Sequence, residues 1–322
     1  MNNLLEIEAL RVTFTTTKGE VSPVDGINLA ITPGETLCIV GESGSGKSVT
    51  SLSILGLLGE KGRIAEGHIR LNGTDLTELN QTQLRKIRGK QVSMVFQEPM
   101  TALNPVMTIG NQLLEVIQVH TKLNRRQAEH AVLQMLQKVG IARPEAVMRE
   151  YPHSLSGGMR QRIVIAIALI CEPKLLIADE PTTALDVTIQ AQILNLMKQL
   201  REERETAILL ITHDLSIVAE MADRVAVMYA GQIVEEAEVF SLFDEPLHPY
   251  TQGLMRSVPT IQSGAEDRLV PIPGTVPSLT DLPQGCRFQA RCPYAIEQCS
   301  LEAPSLRQVS AKHVVRCWLP QQ

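Results

Sequence analysis

Three short segments of this sequence carry residue types and spacings that could do chemistry. The first is Gly41-Glu42-Ser43-Gly44-Ser45-Gly46-Lys47-Ser48, which follows the apolar stretch ETLCIV and opens SVTSLSILGLL. In a strand–loop–helix setting, glycines let successive backbone N–H groups converge on an anion, and the helix N-terminus adds positive potential. Lys47 can then reach the β- and γ-phosphates of a nucleotide, while the Ser48 hydroxyl can bind Mg²⁺. A Gly/Ser-rich turn without a ligand would need neither the lysine nor a helix start in register, and this loop has both.

The second segment is Leu175-Leu-Ile-Ala-Asp179-Glu180, an apolar strand ending in two acids. Alone it could be a strand running into a polar turn. Downstream of a phosphate loop it matches a strand that delivers Asp179 to Mg²⁺. Glu180, one residue on, points the other way and can take the proton of an attacking water. The third segment, Leu155-Ser156-Gly157-Gly158-Met159-Arg160-Gln161-Arg162, lies between the other two in sequence. A Ser-Gly-Gly start to a helix is a second phosphate-binding N-terminus in one chain. One nucleotide has one γ-phosphate, so two such sites per chain suggest that two chains share each ATP.

The elements that must position these segments alternate along the chain. Strand candidates are LLEIEALRVTF, GINLAI, ETLCIV, HIRLNG, QVSMVF, LLIAD, AILLIT and RVAVMY; several are unbroken apolar runs of the kind buried in a parallel sheet. Helices are expected after Lys47, over Arg125 to Val139, after Gly157, and from Val187 to about Glu203. The stretch from Phe96 to Ser156 is helix-rich and strand-poor, which suggests a helical insert beside the sheet. The fold class read from this is α/β, with a helical insert beside the sheet and a small C-terminal extension.

Composition narrows the function classes. With 322 residues, 44% hydrophobic and 20% charged, the chain is ordinary for a globular protein with ample core. Aromatics are scarce at 3%, so the core is aliphatic. A net charge of −5 gives no broad basic footprint for nucleic acid. The start, MNNLLEIEALRVTF, lacks the cationic segment of a secretory signal. The longest apolar run, IVIAIALIC from Ile163 to Cys171, is about half what a bilayer-spanning helix needs. Any membrane crossing is therefore expected from another chain.

With these motifs in order, the sequence resembles the ABC ATPase family over about residues 5–253, which implies an α/β P-loop NTPase cassette with a mixed sheet core and a helical subdomain over about 98–165. Gln97 ends QVSMVFQ as the family's Q-loop does, Thr183-Ala-Leu-Asp186 resembles the D-loop, and His213 in ILLITHD resembles the switch histidine. Phe14 stands where such cassettes place an adenine-stacking aromatic, more often Tyr; a lone Phe on a strand would otherwise be core. The resemblance implies that Gly41, Glu42, Ser43, Gly44, Ser45, Gly46, Lys47, Ser48 and Val49 line the nucleotide. It implies Mg²⁺ on Ser48, Gln97 and Asp179, catalysis by Glu180 with Lys47, Gln97 and His213, and contributions from Ser156, Gly157, Gly158 and Asp186. A long coiled coil or a second cassette, as in the family's DNA-repair and translation members, is absent here. A non-catalytic regulatory cassette would lack Glu180 or Lys47.

Within the family, FQEPMTALNP from Phe96, ADEPTTALDVTIQAQ from Ala178, His248-Pro-Tyr-Thr251 and the tail from Pro271-Ile-Pro-Gly-Thr-Val-Pro277 are similar to the oligopeptide and dipeptide importer ATPases. That resemblance implies a peripheral subunit on the cytoplasmic face of the membrane. It implies two integral-membrane permeases, a second homologous ATPase subunit and an extracytoplasmic peptide-binding protein. The cargo would be di- or oligopeptides, or a related solute such as nickel or glutathione. A complete motif set also allows a homodimer, but relatives of this kind pair with a different ATPase.

The texture changes near residue 254, where prolines crowd, so the domains are read as 1–253 and 254–322. The small extension holds four of the six cysteines, Cys286, Cys292, Cys299 and Cys317. So small a Pro-rich segment needs a staple, a metal or docking on a neighbour. Disulfides are disfavoured in a reducing cytosol, leaving zinc or an iron–sulphur cluster. The tight C-x2–4-C knuckles of zinc sites are missing, whereas Cys292-Pro293 matches the Cys-Pro step of bacterial clusters. Arg287, Arg291 and Arg316 are expected to offset the thiolate charge. The resemblance agrees, since some importer ATPases carry a [4Fe–4S] cluster at such a tail; zinc, or no metal, is the alternative.

Overall fold

The computed structural model describes residues 3–17, 19–97, 102–183, 186–257 and 271–319. Its strands in chain order are β1 Leu5–Thr16, β2 Gly19–Ile31, β3 Thr36–Val40, β4 Gly62–Leu71, β5 Thr74–Asp75 and β6 Val92–Val95. They continue with β7 Leu175–Asp179, β8 Ala207–Ile211, β9 Arg224–Tyr229, β10 Gln232–Glu238, β11 Arg307–Ser310 and β12 His313–Val315. The chain forms two compact units, one of residues 1–4, 31–35 and 78–210, the other of residues 5–30, 36–77 and 211–322.

In the first unit β6 and β7 run parallel, with Val92 opposite Leu175 and Val95 opposite Ala178, and β8 lies next to β7. Every residue of β7 and β8 is buried, as their unbroken apolar sequences require. Helices Ile109–His120, Arg125–Lys138, Pro144–Val147 and Gly157–Leu169 fill the stretch after β6. The insert is helical, as its composition suggested. Two of its helices start at side-chain caps: Thr108 accepts from the Asn111 N–H, and Asn124 closes a reciprocal box with Gln127. The apolar run from Ile163 forms the buried side of helix Gly157–Leu169, with Ile163, Val164, Ile165 and Ala166 all inside. No helix among the described residues is long and apolar enough to cross a membrane.

In the second unit β1 and β4 form a long antiparallel ladder, with β2 beside β1 and β5 beside β4. Its register shifts between Glu8 and Arg11, where Ala9 has φ +47° and a side chain on Gly67 would meet the Glu8 and Ala9 carbonyls. That is a β-bulge at a position only glycine fits. β3, buried throughout, pairs in parallel with β9. The sheet continues antiparallel through β10 and β12 to β11. Composition did not reveal this edge: the C-terminal residues add strands to the sheet of residues 224–238 rather than folding apart from it.

The extension is docked by polar and aromatic contacts. Glu235, fully buried on β10, accepts from the N–H groups of Leu247 (2.7 Å) and His248 (2.9 Å) and bonds His313 Nε2 at 2.8 Å. Burial pushes His248 down to about 4, so it is neutral and its Nδ1 accepts the Tyr250 N–H at 3.0 Å. Tyr229, Tyr250 and Phe288 pack ring against ring at 4.6–5.5 Å. Docking therefore meets the extension's need for support. Glu235→Ala leaves two buried N–H groups and a histidine without their acceptor, and should cost about 3 kcal/mol in a denaturant-unfolding experiment. A loss below about 1 kcal/mol would show that this network does not hold the extension.

Candidate nucleotide-binding site

In the second unit the fully buried β3 ends at Val40, and the chain turns through the glycine loop into helix Lys47–Ile54. Gly41 (φ +154°) and Gly46 (φ +106°) stand where a Cβ would lie 2.1 Å from the Met228 carbonyl oxygen and 2.2 Å from that of Pro23. No side chain fits at either, so the loop can be wound this tightly only with glycine. Lys47, 7% exposed, turns its Nζ back over the loop to donate to the carbonyls of Gly41 (2.8 Å) and Glu42 (3.0 Å). The Ser45 hydroxyl is buried with no hydrogen-bond partner among the described residues. A buried ammonium and an orphaned hydroxyl on one loop fit a polyphosphate ligand, which offers acceptors to both. Ser48 is exposed at the first turn of the helix, and Ser43 and Gly44 are exposed at the loop crest. Phe14, half-buried on β1, lies opposite Gly62, where a Cβ would strike its ring at 2.7 Å. His213, in the same unit, is exposed after β8.

The first unit carries the acids. β7 buries its apolar residues and delivers Asp179, 6% exposed, at its end. Glu180 follows in the left-handed region at φ +47°, a conformation costly for a residue with a side chain. Its carboxylate accepts from Gln97 Nε2 at 2.9 Å and from the Thr183 hydroxyl at 3.0 Å. Gln97 and Glu180, 83 residues apart and expected in one site from the resemblance, are thus in direct contact. A second link is Gln161, almost fully buried, whose Nε2 donates to the Pro181 carbonyl at 2.5 Å. It ties helix Gly157–Leu169 to the residue after Glu180.

That helix begins at Ser156, an N-cap whose hydroxyl accepts from the Met159 N–H at 3.4 Å. Ser156 and Gly157 are exposed, and Gly158 is partly so. Asp186 caps helix Val187–Arg204 in the same manner, accepting from the Ile189 N–H at 2.9 Å. Residues 98–101 after Gln97, and Ala184 and Leu185 of the D-loop stretch, lie outside the described residues.

The four tail cysteines gather in one region. Cys286 donates its N–H to the Cys299 carbonyl at 2.8 Å, and burial pushes its thiol up to about 11, with smaller upward effects from the other three. Cys292 and Cys317 are shifted the same way, first by burial. Among the described residues no group of three or more His, Cys, Asp or Glu side chains is arranged to hold a metal ion. The expected counter-charges are also engaged elsewhere. Arg287 pairs with Asp25, Arg291 with Glu42 (2.6 Å), and Arg316 donates to the carbonyls of Ile233 and Pro304. Carboxylates neutralise Arg287 and Arg291, which corrects their reading as counter-ions to thiolate, whereas Arg316 lies within electrostatic reach of Cys286.

Known proteins share both parts of this chain. The family model of the ABC transporter matches residues 24–183, and that of the oligopeptide/dipeptide transporter C-terminal region matches residues 234–299. The chain is 55% identical over 320 residues to the oligopeptide transport ATP-binding protein AppD of Bacillus subtilis, covering 99% of this chain and 97% of that one. It is 51% identical over 324 residues to the dipeptide transport ATP-binding protein DppD of the same organism, covering 100% and 96%. Among solved structures, the dimeric ATP-binding cassette MJ0796 bound to ADP and Pi is similar with a TM-score of 0.66 at 28% identity, covering 73% of this chain and 98% of that one. A phosphate loop, an acid-tipped strand, a Ser-Gly-Gly helix start and near full-length likeness to these proteins lead to one conclusion: the chain belongs to the ABC transporter family, as an ATP-binding protein of the oligopeptide/dipeptide transport group.

Proposed function

We propose that this chain binds and hydrolyses ATP to energise the uptake of di- or oligopeptides through membrane permeases. The observation that carries the reading is the loop itself, with its buried Lys47, its orphaned Ser45 hydroxyl and two glycines that admit no side chain. Peptide as cargo rests on the relatives' names and on the match to the transporter C-terminal region. Related solutes such as nickel or glutathione stay within the same reading.

Catalysis of phosphoryl transfer is mainly positioning and charge stabilisation. Lys47 and the loop N–H groups bind the β- and γ-phosphates, and Phe14 offers its ring to the base. Mg²⁺, held by Ser48, Asp179 and Gln97, would neutralise charge between the phosphates. Glu180 accepts the proton of the attacking water, and its contacts with Gln97 and Thr183 support an oriented carboxylate. His213, exposed after β8, would act on the γ-phosphate as the switch residue. Ser156, Gly157 and Gly158 serve the nucleotide of a facing cassette; the exposure of that helix start supports the role, as does the dimeric similar structure. Asp186 belongs to the same junction.

The working assembly is two permeases, this subunit and a second, different ATPase, fed by an extracytoplasmic binding protein. The chain sits peripherally on the cytoplasmic face, a cassette of residues 1–253 with an extension of residues 254–322. Cys286, Cys292, Cys299 and Cys317 would hold a [4Fe–4S] cluster, or zinc in its place, with a structural role. Four soft sulphur donors within electrostatic reach of one another support this.

Three tests follow from these roles. Glu180→Gln keeps shape but not basicity, so ATP hydrolysis should fall ~10²–10⁴-fold while nucleotide binding persists. Near wild-type hydrolysis would remove Glu180 as the base. Ser156→Arg should abolish hydrolysis in the assembled transporter yet leave ATP binding to the single chain intact; loss of that binding would place Ser156 in its own chain's pocket. Anaerobically purified protein should be brown and contain iron that Cys292→Ser removes, whereas colourless protein holding one zinc per chain would assign the thiols to zinc.

A further inference from the structure

Glu42, the second residue of the phosphate loop, is held from outside the loop by two residues far along the chain. Its N–H donates to the Tyr250 hydroxyl at 2.8 Å, and its carboxylate takes Arg291 in a two-point ion pair of 2.6 and 3.0 Å. The Arg291 side chain is only 4% exposed. Its remaining donors go to the carbonyls of Pro273 (2.8 Å) and Ile272 (3.4 Å), and Nη1 also reaches the Tyr229 hydroxyl at 3.3 Å. The guanidinium lies 5.7 Å from the Tyr229 ring centre and 5.8 Å from that of Phe288. Its stem passes Gly274, where a Cβ would crowd it at 3.3 Å. A guanidinium so fully surrounded is fixed in place, and Glu42 raises its already high basicity further.

Arg287, four residues earlier, makes a second strut. It pairs with Asp25 and donates to the Ala230 carbonyl. The next residue, Gly231, gives its N–H to the Ser45 carbonyl at 2.9 Å, and a side chain there would meet Arg287 Nη1 at 3.2 Å. The loop is therefore braced on both sides of its crest, at Glu42 and at Ser45. Both arginines sit beside a cysteine, in Cys286-Arg287 and Arg291-Cys292.

We propose that the C-terminal segment is a positioning element of the phosphate loop, with Arg291 as the positioning residue, so that ATP affinity depends on the docked cysteine-bearing segment. Lys47 Nζ is shared between the carbonyls of Gly41 and Glu42, so a shift of Glu42 moves the ammonium that meets the phosphates. Arg291 touches no phosphate; it acts through Glu42.

The proposal rests on the loop binding ATP, and the test separates the two. Binding of a fluorescent ATP analogue with Mg²⁺ is measured on the full chain for Lys47→Ala, Arg291→Ala, Glu42→Gln and the Arg291→Ala/Glu42→Gln double variant. Lys47→Ala should abolish binding; if it does not, the phosphate-loop reading itself fails. Arg291→Ala and Glu42→Gln should each weaken binding about tenfold, the scale of a charge-assisted pair, with the double variant no worse than either. In the assembled transporter KM for ATP should rise in the same ratio with kcat within about twofold. A merely structural arginine would lower the folded yield but leave the affinity of the folded fraction alone. Glu42→Gln covers the case in which Arg291→Ala fails to fold, because the carbonyl and aromatic contacts of Arg291 do not need the Glu42 charge. Affinities within twofold of wild type for both single variants, or losses that add in the double variant, would overturn the proposal.

Discussion

A cation placed where water is scarce has to be kept charged by its neighbours, and Lys47 is in that position. Its ammonium is buried, and the carbonyls of Gly41 and Glu42 accept from it. Those carbonyls point inward only because Gly41 and Gly46 take conformations and close approaches that no other residue allows. The tight loop in turn needs rigid ends: a strand buried on both faces before it and a helix after it. Much of the second unit can be read as support for that one turn.

The acids face the opposite problem. Asp179 and Glu180 stand at the end of an apolar strand, where burial and backbone conformation must hold two adjacent carboxylates in place. Burial of β7 fixes Asp179, while Glu180 takes a left-handed backbone and gives its carboxylate to neutral donors, Gln97 and Thr183. Strain of this sort survives only where the surroundings over-determine it, and the Gln161 bond to Pro181 is one such restraint.

The extension is held without a stabilising core of its own. β12 joins β10, Glu235 gathers donors from both sides of the junction, and Phe288 completes an aromatic cluster with Tyr229 and Tyr250. The same junction reaches the phosphate loop through Tyr250 and Arg291. Docking and loop support share the cluster of Tyr229, Tyr250 and Phe288, which packs on the tail and also contacts Glu42 or Arg291.

Much of this was legible in the sequence because it is local. Unbroken apolar runs marked β3, β7, β8 and β9, and the loop from Gly41 to Ser48 declared its ligand class by spacing alone. The strands β10 and β12 were not read, since Glu235, Glu236 and Glu238 look like a solvated turn until Glu235 is seen buried against His313. The helix Gln81–Ile87 was missed although it carries a signal, Asn80 with Gln83, because a cap is only two or three residues long and is easily passed over. What the sequence determined is the residue chemistry that a phosphate demands, because that depends on residues adjacent in the chain. What only the tertiary structure decided is which distant groups fix it: Gln97 on Glu180 across 83 residues, and Arg291 on Glu42 across 249. No local rule couples positions so far apart, because their meeting is set by how strands and the docked tail pack.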